Sequence, residues 1–208
     1  MSKAILVNYN FTPSWLLESD YDYLIYDRSD SNEYLKDFPQ ERIIKTSNFG
    51  NVDYDKLTYL YENYDTLPDV FLWGKTNLFK YITPEEFEQV KNNQTFTPLL
   101  TQNHKNYSDE YGVVCYYQDG IYYERNNSWY TTQLPARIKT YGEFASLFHL
   151  PNPAYLPFAP GGNYILTKET VQKYGRDIYD KMRSLLPYTQ NPAEAHYCER
   201  SYYNLWRQ

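Results

Sequence analysis

The sequence contains little cysteine and no long apolar run, and each absence excludes a class of protein. Cys115 and Cys198 are the only cysteines among 208 residues, too few for a disulfide scaffold and typical of a reduced compartment. The apolar run near the start covers only Ala4 to Val7, which is too short for a signal peptide or a membrane span. We therefore expect a cytoplasmic protein. The helix-like sequence at Arg207–Gln208 is also consistent with the amino-terminal part of a longer protein.

Three common nucleotide and hydrolase motifs are absent as well. No glycine-rich dinucleotide loop follows the first predicted strand, and no GxxxxGK[ST] phosphate loop occurs. The GxSxG turn of α/β-hydrolases is also missing. His104, His149 and His196 stand singly, without metal-ligand spacing, and structural roles are expected for the first two.

The composition that remains is that of an acidic globular protein. Hydrophobic residues make up 42% and charged residues 22%, which argues against a disordered chain. A single domain over residues 1–208 is expected. The net charge of −6 argues against a general affinity for nucleic acid or anionic membranes. Any bound phosphate must therefore be held by a few local cations.

Tyrosine is the most unusual part of the composition, with 26 residues beside 10 phenylalanines and 4 tryptophans. Its flat apolar ring with a polar tip suits packing on sugars and bases. A core built with tyrosine in place of phenylalanine, or a bias of the genome, would give the same count. So many rings cannot all line one site, and both interpretations stay open.

Helical and strand patterns alternate in the first half of the chain, whereas a hairpin and helices fill the second. Short apolar or branched runs predict strands over Ala4–Tyr9, Tyr23–Tyr26, Arg42–Lys45 and Val70–Trp73. Asp119-Gly120 predicts a hairpin turn. Helix starts are predicted at Thr12-Pro13, Asn51, Thr83-Pro84, Thr167 and Asn191-Pro192. The fold class expected is α/β, a sandwich with a mostly parallel central sheet plus an antiparallel hairpin.

Polar residues follow the ends of three predicted strands. Gly74 is expected to end the strand Val70–Trp73, with Lys75 directly after it. Because the carboxyl ends of parallel strands gather at the ligand-binding edge of a sheet, these side chains are expected to meet. Amides and carboxylates there could read a base or ribose, and the cations could hold a diphosphate. The expected donor-binding set is Asn8, Tyr9, Asn10, Tyr26, Asp27, Arg28, Lys75, Thr76 and Asn77. The alternative at Lys75 is a solvated turn with one exposed lysine.

Five segments carry a resemblance that covers nearly the whole chain. They are, in order, VNYN, LIYDR, NYDTLPDVFLWGK, APGGNYILTKETV and AHYCERSYYNLW. Together they resemble a family of nucleotide-sugar glycosyltransferases that includes a capsid-glycosylating enzyme of a chlorella virus, and more distantly a set of fungal and bacterial domains. The resemblance implies a single-domain nucleotide-sugar transferase fold, GT-A-like or Rossmann-like. It also implies a hexosyl- or deoxyhexosyltransferase that moves a sugar from a UDP-sugar to a glycan hydroxyl, such as that of a viral capsid glycoprotein in the host cytoplasm.

One departure from the family concerns the metal. Enzymes of that fold usually carry Asp-x-Asp after the strand that corresponds to Val70–Trp73, where it holds a divalent ion such as Mn²⁺ or Mg²⁺ on the diphosphate. Here the sequence Gly74-Lys75-Thr76-Asn77 occupies that place. The metal site is therefore left unassigned, and Lys75 with Arg28 is expected to supply the positive charge instead.

The acid–base group is expected near the start of the last predicted helix, where Glu194, His196 and Glu199 lie. Glu199 is favoured as the base, because AHYCER is where the resemblance is clearest in the second half. His196 lies three residues away, points the same way and could work with it. The alternatives are that Glu194 is only a first-turn dipole partner, and that Glu199 pairs with Arg200 or Arg176 at the surface.

The segment Gly161-Gly162-Asn163 is the candidate for the sugar or acceptor side. Two glycines let the backbone approach a ligand closely, although a plain turn before a strand fits equally well. The alternative function for the whole chain is a non-catalytic carbohydrate-binding or capsid-associated module that uses its tyrosines as stacking surfaces. Such a module needs no diphosphate site, so Lys75 and Arg28 would have no role in it.

Overall fold

The computed structural model describes residues 3–101, 106–110 and 112–207, so His104 lies outside the described residues. They form a mixed α/β fold with two sheets. Its strands are β1 (Lys3–Asn8), β2 (Asp22–Asp27), β3 (Ile43–Lys45), β4 (Val70–Lys75), β5 (Thr97–Pro98), β6 (Tyr107–Ser108), β7 (Val114–Gln118), β8 (Ile121–Arg125), β9 (Tyr155–Pro157) and β10 (Tyr164–Thr167).

The larger sheet has six strands in the order β3-β2-β1-β4-β10-β5. Its first four strands are parallel, whereas β10 runs antiparallel to both β4 and β5. The smaller sheet is antiparallel, in the order β6-β7-β8-β9. A mixed sheet with an antiparallel addition is therefore confirmed. The addition is larger than a hairpin because β9 forms inside Leu150–Pro160, a segment before β10 that contains four prolines.

The described residues also form α-helices, short 3₁₀ turns and connecting loops. The α-helices are α1 (Ser14–Leu17), α2 (Asn51–Glu62), α3 (Pro84–Val90), α4 (Tyr141–Leu147), α5 (Lys168–Gln172), α6 (Arg176–Ser184) and α7 (Ala193–Trp206). Eleven of the fourteen residues of α7 are buried, so this helix runs through the interior and not along the surface. None of the helices that the structure describes is long and apolar enough to cross a membrane.

Several local sequence signals act as expected. Asp119 and Gly120 both have positive φ, 51° and 80°, as a two-residue hairpin turn with the twist of its strands requires. Thr83 begins α3 with a capping box, because its hydroxyl accepts from the backbone N–H of Glu86 while the Glu86 carboxylate accepts from the N–H of Thr83. Thr167 caps α5 with its hydroxyl alone, which accepts from the backbone N–H of Thr170.

Four predicted boundaries are wrong. Pro13, and not Thr12, is the N-cap of α1, and no side chain caps that helix. Gly74 does not end its strand, since β4 continues through Gly74 to Lys75 and pairs there with β1. Asn51 is the first residue of α2 and the left-handed Gly50 is its N-cap. Pro192, and not Asn191, is the N-cap of α7, and no side chain caps that helix.

Tyrosine forms a large part of the core. Eleven tyrosines are buried among the described residues. In α7, Tyr202 stacks on Trp206 with ring centroids 5.0 Å apart, and both rings meet Trp73 of β4 edge-on. The interpretation of tyrosine as a core residue therefore accounts for a substantial share of the composition.

Replacing Gly74 by alanine should destabilise the protein. A Cβ at Gly74 would lie 2.6 Å from Oδ1 of Asn163, a fully buried side chain that already accepts a hydrogen bond from the backbone of Lys75. We expect Gly74→Ala to lower the free energy of unfolding by roughly 1–3 kcal/mol, the usual range for overpacking. Urea denaturation measures the change.

Gly175→Ala is the matched control for this experiment. Gly175 has an ordinary φ of −62°, and a Cβ there would meet nothing within 4 Å. Its effect should be smaller, at most about 0.5–1 kcal/mol, because the only expected loss is that of glycine as the N-cap of α6. If the two variants unfold at the same urea concentration, the contact with Asn163 is not a constraint.

Candidate functional site

A cleft of about 400 Å³ opens beside the carboxyl end of β4. We call it the β4 cleft; its lining is Lys75, Tyr81, Tyr107, Asp109, Val113, Cys115, Tyr122, Glu124, Trp129, Phe158, Pro160, Gly161, His196, Glu199 and Arg200. Three cavities elsewhere are larger, at about 600, 710 and 480 Å³, but none of the residues predicted for donor binding or catalysis lines them. The β4 cleft is therefore the candidate site on chemical grounds and not on size.

Lys75 places one positive charge at the cleft. Its side chain is half-buried, and Nζ lies 5.6 Å from the centre of the Tyr81 ring. Burial alone would lower the pKa of the Lys75 ammonium, but the Glu199 carboxylate and Tyr81 raise it above its ordinary value. Among the described residues, no carboxylate lies within 4 Å of this ammonium. The charge is therefore present at neutral pH and not fully neutralised by a direct salt bridge.

Glu199 is held by an arginine on its own helix. Arg200 donates from Nη1 to Oε2 of Glu199 at 3.0 Å, and from Nε and Nη2 to the two oxygens of Glu124 in β8 at 2.6 and 2.9 Å. The Glu199 side chain remains 15% exposed. Burial alone would raise the pKa of Glu199, but Arg200 and Lys75 lower it below its ordinary value. Glu199 thus faces the cleft as a carboxylate, and its pairing with Arg200 lies inside the protein and not at its surface.

His196 supplies a neutral imidazole one helical turn before Arg200. Its ring stacks on Tyr130 with centroids 4.9 Å apart. Burial, and next the charge of Arg200, lower the pKa of His196 to about 4. Nδ1 lies 3.5 Å from the guanidinium of Arg200, so the tautomer that fits this contact carries its proton on Nε2. The imidazole can then donate a hydrogen bond at neutral pH without carrying charge.

A fully buried lysine lies behind the cleft. Lys56 of α2 donates from Nζ to the carbonyl of Gly162, and its Nζ lies 4.4 Å from the centre of the Trp73 ring. Burial lowers the pKa of Lys56 to about 8. The neighbouring Asp53 accepts a hydrogen bond from the hydroxyl of Tyr202 at 2.8 Å, and burial raises the pKa of that carboxyl. These two charged groups support the floor of the cleft without lining it.

Sequence reasoning missed Lys56, although a signal for it exists. Asp53, Lys56, Leu57 and Leu60 are spaced i, i+3, i+4 and i+7, so they share one face of α2. The two leucines mark that face as buried, and a lysine and an aspartate on it must be buried with them. A charged pair on an apolar helix face is a candidate for a functional site.

The three residues predicted for the acceptor side take different places. Gly161 lines the β4 cleft with φ of 86°, and a Cβ there would lie 2.7 Å from the ring of Tyr81. Gly162 also has positive φ, 63°, but its carbonyl is occupied by Lys56. Asn163 is buried, and its Oδ1 accepts from the backbone N–H of Lys75 at 2.8 Å. Only Gly161 of the three lines the β4 cleft, and Gly162 and Asn163 hold it in place.

The polar residues that follow β1 and β2 mostly bond to one another. Asn8 is fully buried; its amide donates to Asp27 at 3.2 Å, and its Oδ1 accepts from the hydroxyl of Thr76 at 2.5 Å. The Asp27 carboxylate also pairs with Lys45 at 2.8 Å, beside a separate cavity of about 190 Å³. These three residues of the expected donor set form an internal network and do not line the β4 cleft.

Arg28 is not available to join Lys75 as an anion site in this arrangement. Its guanidinium donates to Asp55 of α2 and to the carbonyl of Phe49, both at 2.6 Å, and its side chain is 1% exposed. The ion pair with Asp55 neutralises the charge that the sequence analysis assigned to a diphosphate. Arg28 is therefore a structural residue. Arg200 at the β4 cleft is paired in the same way, with Glu124 and Glu199, so among the described residues the positive charge without a salt bridge there comes from Lys75.

The other members of the donor set lie around this network. Tyr26 is buried, whereas Tyr9 is 49% exposed. Asn10 donates from its amide to Asp30 at 3.0 Å. Oδ1 of Asn77 is buried, with no hydrogen-bond partner among the described residues. None of these four residues lines the β4 cleft.

Glu194 also lies outside the cleft. One of its carboxylate oxygens accepts from the backbone N–H groups of Arg137 and Ile138, each at 2.7 Å, and the other accepts from the Tyr188 hydroxyl at 2.6 Å. This buried carboxylate ties the loop before α4 to the start of α7. Its hydrogen bonds are those of a structural residue, which leaves Glu199 and His196 as the catalytic candidates.

Metal binding has no assigned ligand set. Within residues 3–101, 106–110 and 112–207, no group of three or more His, Cys, Asp or Glu side chains is arranged to hold an ion.

No family model, curated protein or solved structure matches the chain.

The lowered pKa of the buried Lys56 predicts how the free energy of unfolding depends on pH. Because the folded-state pKa of Lys56 is about 8 and its ordinary value is 10.5, the unfolded chain binds the proton more tightly between those values. The contribution of Lys56 to the free energy of unfolding therefore rises with pH across this interval. The free energy of unfolding of the wild type, relative to Lys56→Met, should increase from pH 7 to roughly pH 9.5. Urea titrations at several pH values measure it.

Lys80→Met is the control, since Lys80 is an exposed lysine on the same segment as Lys75. The free energy of unfolding of Lys80→Met should change with pH in the same way as that of the wild type over this range. Parallel curves for Lys56→Met as well would mean that the Lys56 ammonium is not destabilised by burial.

Proposed function

We propose that this chain is a glycosyltransferase that uses a nucleotide-sugar donor, and that the β4 cleft is its active site. One observation carries the proposal. Lys75, Gly161, His196 and Glu199 come from three distant segments and were assigned separate donor, acceptor and acid–base roles, and all four line one cleft. The sequence resemblance supplies the reaction class, with a UDP-sugar as donor and a glycan or glycoprotein as acceptor.

The sheet topology supports this location. The chain places β2 and then β3 on one side of β1, and it next places β4 on the other side of β1. Such a reversal creates a crevice at the carboxyl ends of the two neighbouring strands, which is where α/β sheets bind their ligands. Lys75 is the last residue of β4, at that edge. A single-domain GT-A-like fold is part of the proposal.

The roles of the residues follow from their charges. Lys75 offsets the charge that develops on the departing nucleoside diphosphate. Glu199 takes the proton of the acceptor hydroxyl while that oxygen bonds to the anomeric carbon; the bond from this carbon to the diphosphate oxygen breaks, and its electron pair leaves with the diphosphate. His196 donates a hydrogen bond to a sugar hydroxyl. The rings of Tyr81 and Trp129 offer apolar faces to the sugar.

A second candidate function is carbohydrate binding without transfer. The observation that favours it lies on the smaller sheet, where Tyr116 and Tyr123 stack with centroids 5.0 Å apart and an interplanar angle of 15°. Tyr155 meets Tyr116 edge-on at 5.2 Å and is 38% exposed. A binding module would need these rings but no diphosphate site. Calorimetric titration with UDP separates the two functions, because only the transferase should bind it.

Lys75→Ala should weaken UDP binding on the order of tenfold or more. The loss corresponds to one charge-assisted hydrogen bond, about 1.5–3 kcal/mol. Calorimetry with UDP and UDP-glucose, with and without Mn²⁺, measures the affinity and its dependence on metal. Lys80→Ala is matched to it, since Nζ of Lys80 lies 5.8 Å from the same Tyr81 ring but its side chain is exposed. Equal affinities for the two variants would remove Lys75 from the donor site.

Glu199→Gln should leave UDP-sugar affinity intact and cut the rate of sugar transfer at least about a hundredfold, the usual contribution of a general base. Because the pKa of Glu199 is lowered, the acid limb of the wild-type pH–rate profile should lie below pH 4.5, the ordinary value. Glu85→Gln, at an exposed glutamate of α3, is the control. Near-normal turnover in Glu199→Gln would exclude Glu199 as the base.

A further inference from the structure

A second cavity, of about 710 Å³, lies between α1, the 3₁₀ turn after β4 and α3. Four aromatic rings line it, those of Trp15, Tyr21, Phe79 and Phe87. The carboxylates of Glu18, Asp20 and Glu88 line it as well, together with one cation, Lys91. We call it the acidic–aromatic pocket. Its size is that of a ligand site, and no residue assigned to the β4 cleft belongs to it.

The aromatic rings form a fixed wall. Trp15 and Phe79 meet edge-on with centroids 5.4 Å apart, and Phe87 meets Phe79 in the same way at 5.8 Å. The indole N–H of Trp15 donates to the carbonyl of Thr76 at 2.8 Å, so the polar edge of the ring is already satisfied inside the protein. Phe87 is buried, whereas Trp15 and Phe79 stay half-buried. Their remaining exposed surface is therefore apolar and aromatic.

The charges around this wall are unbalanced. Lys91 pairs with Glu88 at 2.6 Å, and this hydrogen bond raises the pKa of the Lys91 ammonium. Glu18 and Asp20 are exposed, and neither forms a salt bridge with any residue that the structure describes. Two negative charges thus remain without a salt bridge beside aromatic rings, although Asp20 also attracts the Lys91 ammonium at longer range. A cation is the ligand that both features favour, through charge pairing and through attraction to the ring faces.

We propose that the acidic–aromatic pocket binds a basic peptide segment, with an arginine side chain against the rings and paired with Glu18 and Asp20. Arginine fits better than lysine, because its planar guanidinium stacks on aromatic rings, is weakly hydrated and pairs with carboxylates through two parallel hydrogen bonds. The cavity leaves room for the residues on either side of the arginine. The proposal is independent of the reaction in the β4 cleft.

The test uses an octapeptide with two arginines and blocked termini, and the same peptide with citrulline at both positions. Citrulline keeps the shape of arginine and removes its charge. The wild-type chain should bind the arginine peptide at least about tenfold more tightly than the citrulline peptide, and less tightly as salt is added. Glu18→Gln/Asp20→Asn should reduce this affinity to that of the citrulline peptide. Asp37→Asn/Glu41→Gln removes two exposed acids outside the pocket and should leave it unchanged.

Three results would overturn the proposal. The first is equal binding of both peptides, or none at millimolar concentration. The second is an equal loss in the two double variants, which would indicate a general effect of net charge. The third is spermidine binding as tightly as the arginine peptide, since the ligand would then be a small amine and not a peptide.

Discussion

The close approach between the loop before β10 and the end of β4 is the constraint on which the candidate site depends. Because Gly74 has no side chain, Oδ1 of Asn163 reaches the backbone N–H of Lys75 at 2.8 Å. This contact lets β10 run antiparallel to β4, with Tyr164 opposite Trp73. It also brings Gly161 and Lys75 to one cleft, although 86 positions separate them in the sequence. A larger residue at position 74 would push the two segments apart.

Buried charge is the second feature that organises this region. Arg200 and Glu124 pair at 4% side-chain exposure each, and Lys56 is fully buried beside the Gly162 carbonyl. Removing such groups from water costs several kcal/mol per ion, and an apolar core of the same volume is often as stable or more so. Stability alone therefore gives little reason to keep these charges here. Their location around one cleft favours a functional explanation, since charges with shifted pKa values concentrate at active sites.

Sequence reasoning predicted the features that depend on neighbouring residues. The Asp119-Gly120 turn and the helix start at Thr83-Pro84 each need only a few adjacent side chains, and both are confirmed. It did not predict that Arg28 would be neutralised, because its partner Asp55 lies 27 positions away on a different element. The partners of Glu194 were missed for the same reason, since its donors are backbone groups 56 and 57 positions earlier. A titratable residue at a strand or helix end is a candidate only until its long-range partners are known.

The network that follows β1 and β2 shows how such partners change the meaning of a sequence pattern. Polar residues do gather at the carboxyl ends of the parallel strands, but they bond to one another. The side-chain N–H of Asn8 donates to Asp27, and the side-chain oxygen of Asn8 accepts from the hydroxyl of Thr76. Thr76 is thereby fixed directly after Lys75, and its own carbonyl is held by Trp15. The buried asparagine and threonine thus set the course of the chain as it leaves β4. Asn8 and Thr76 contribute to the cleft by fixing the position of Lys75. Of these three residues, only Lys75 lines the cleft, where its ammonium can contact a ligand.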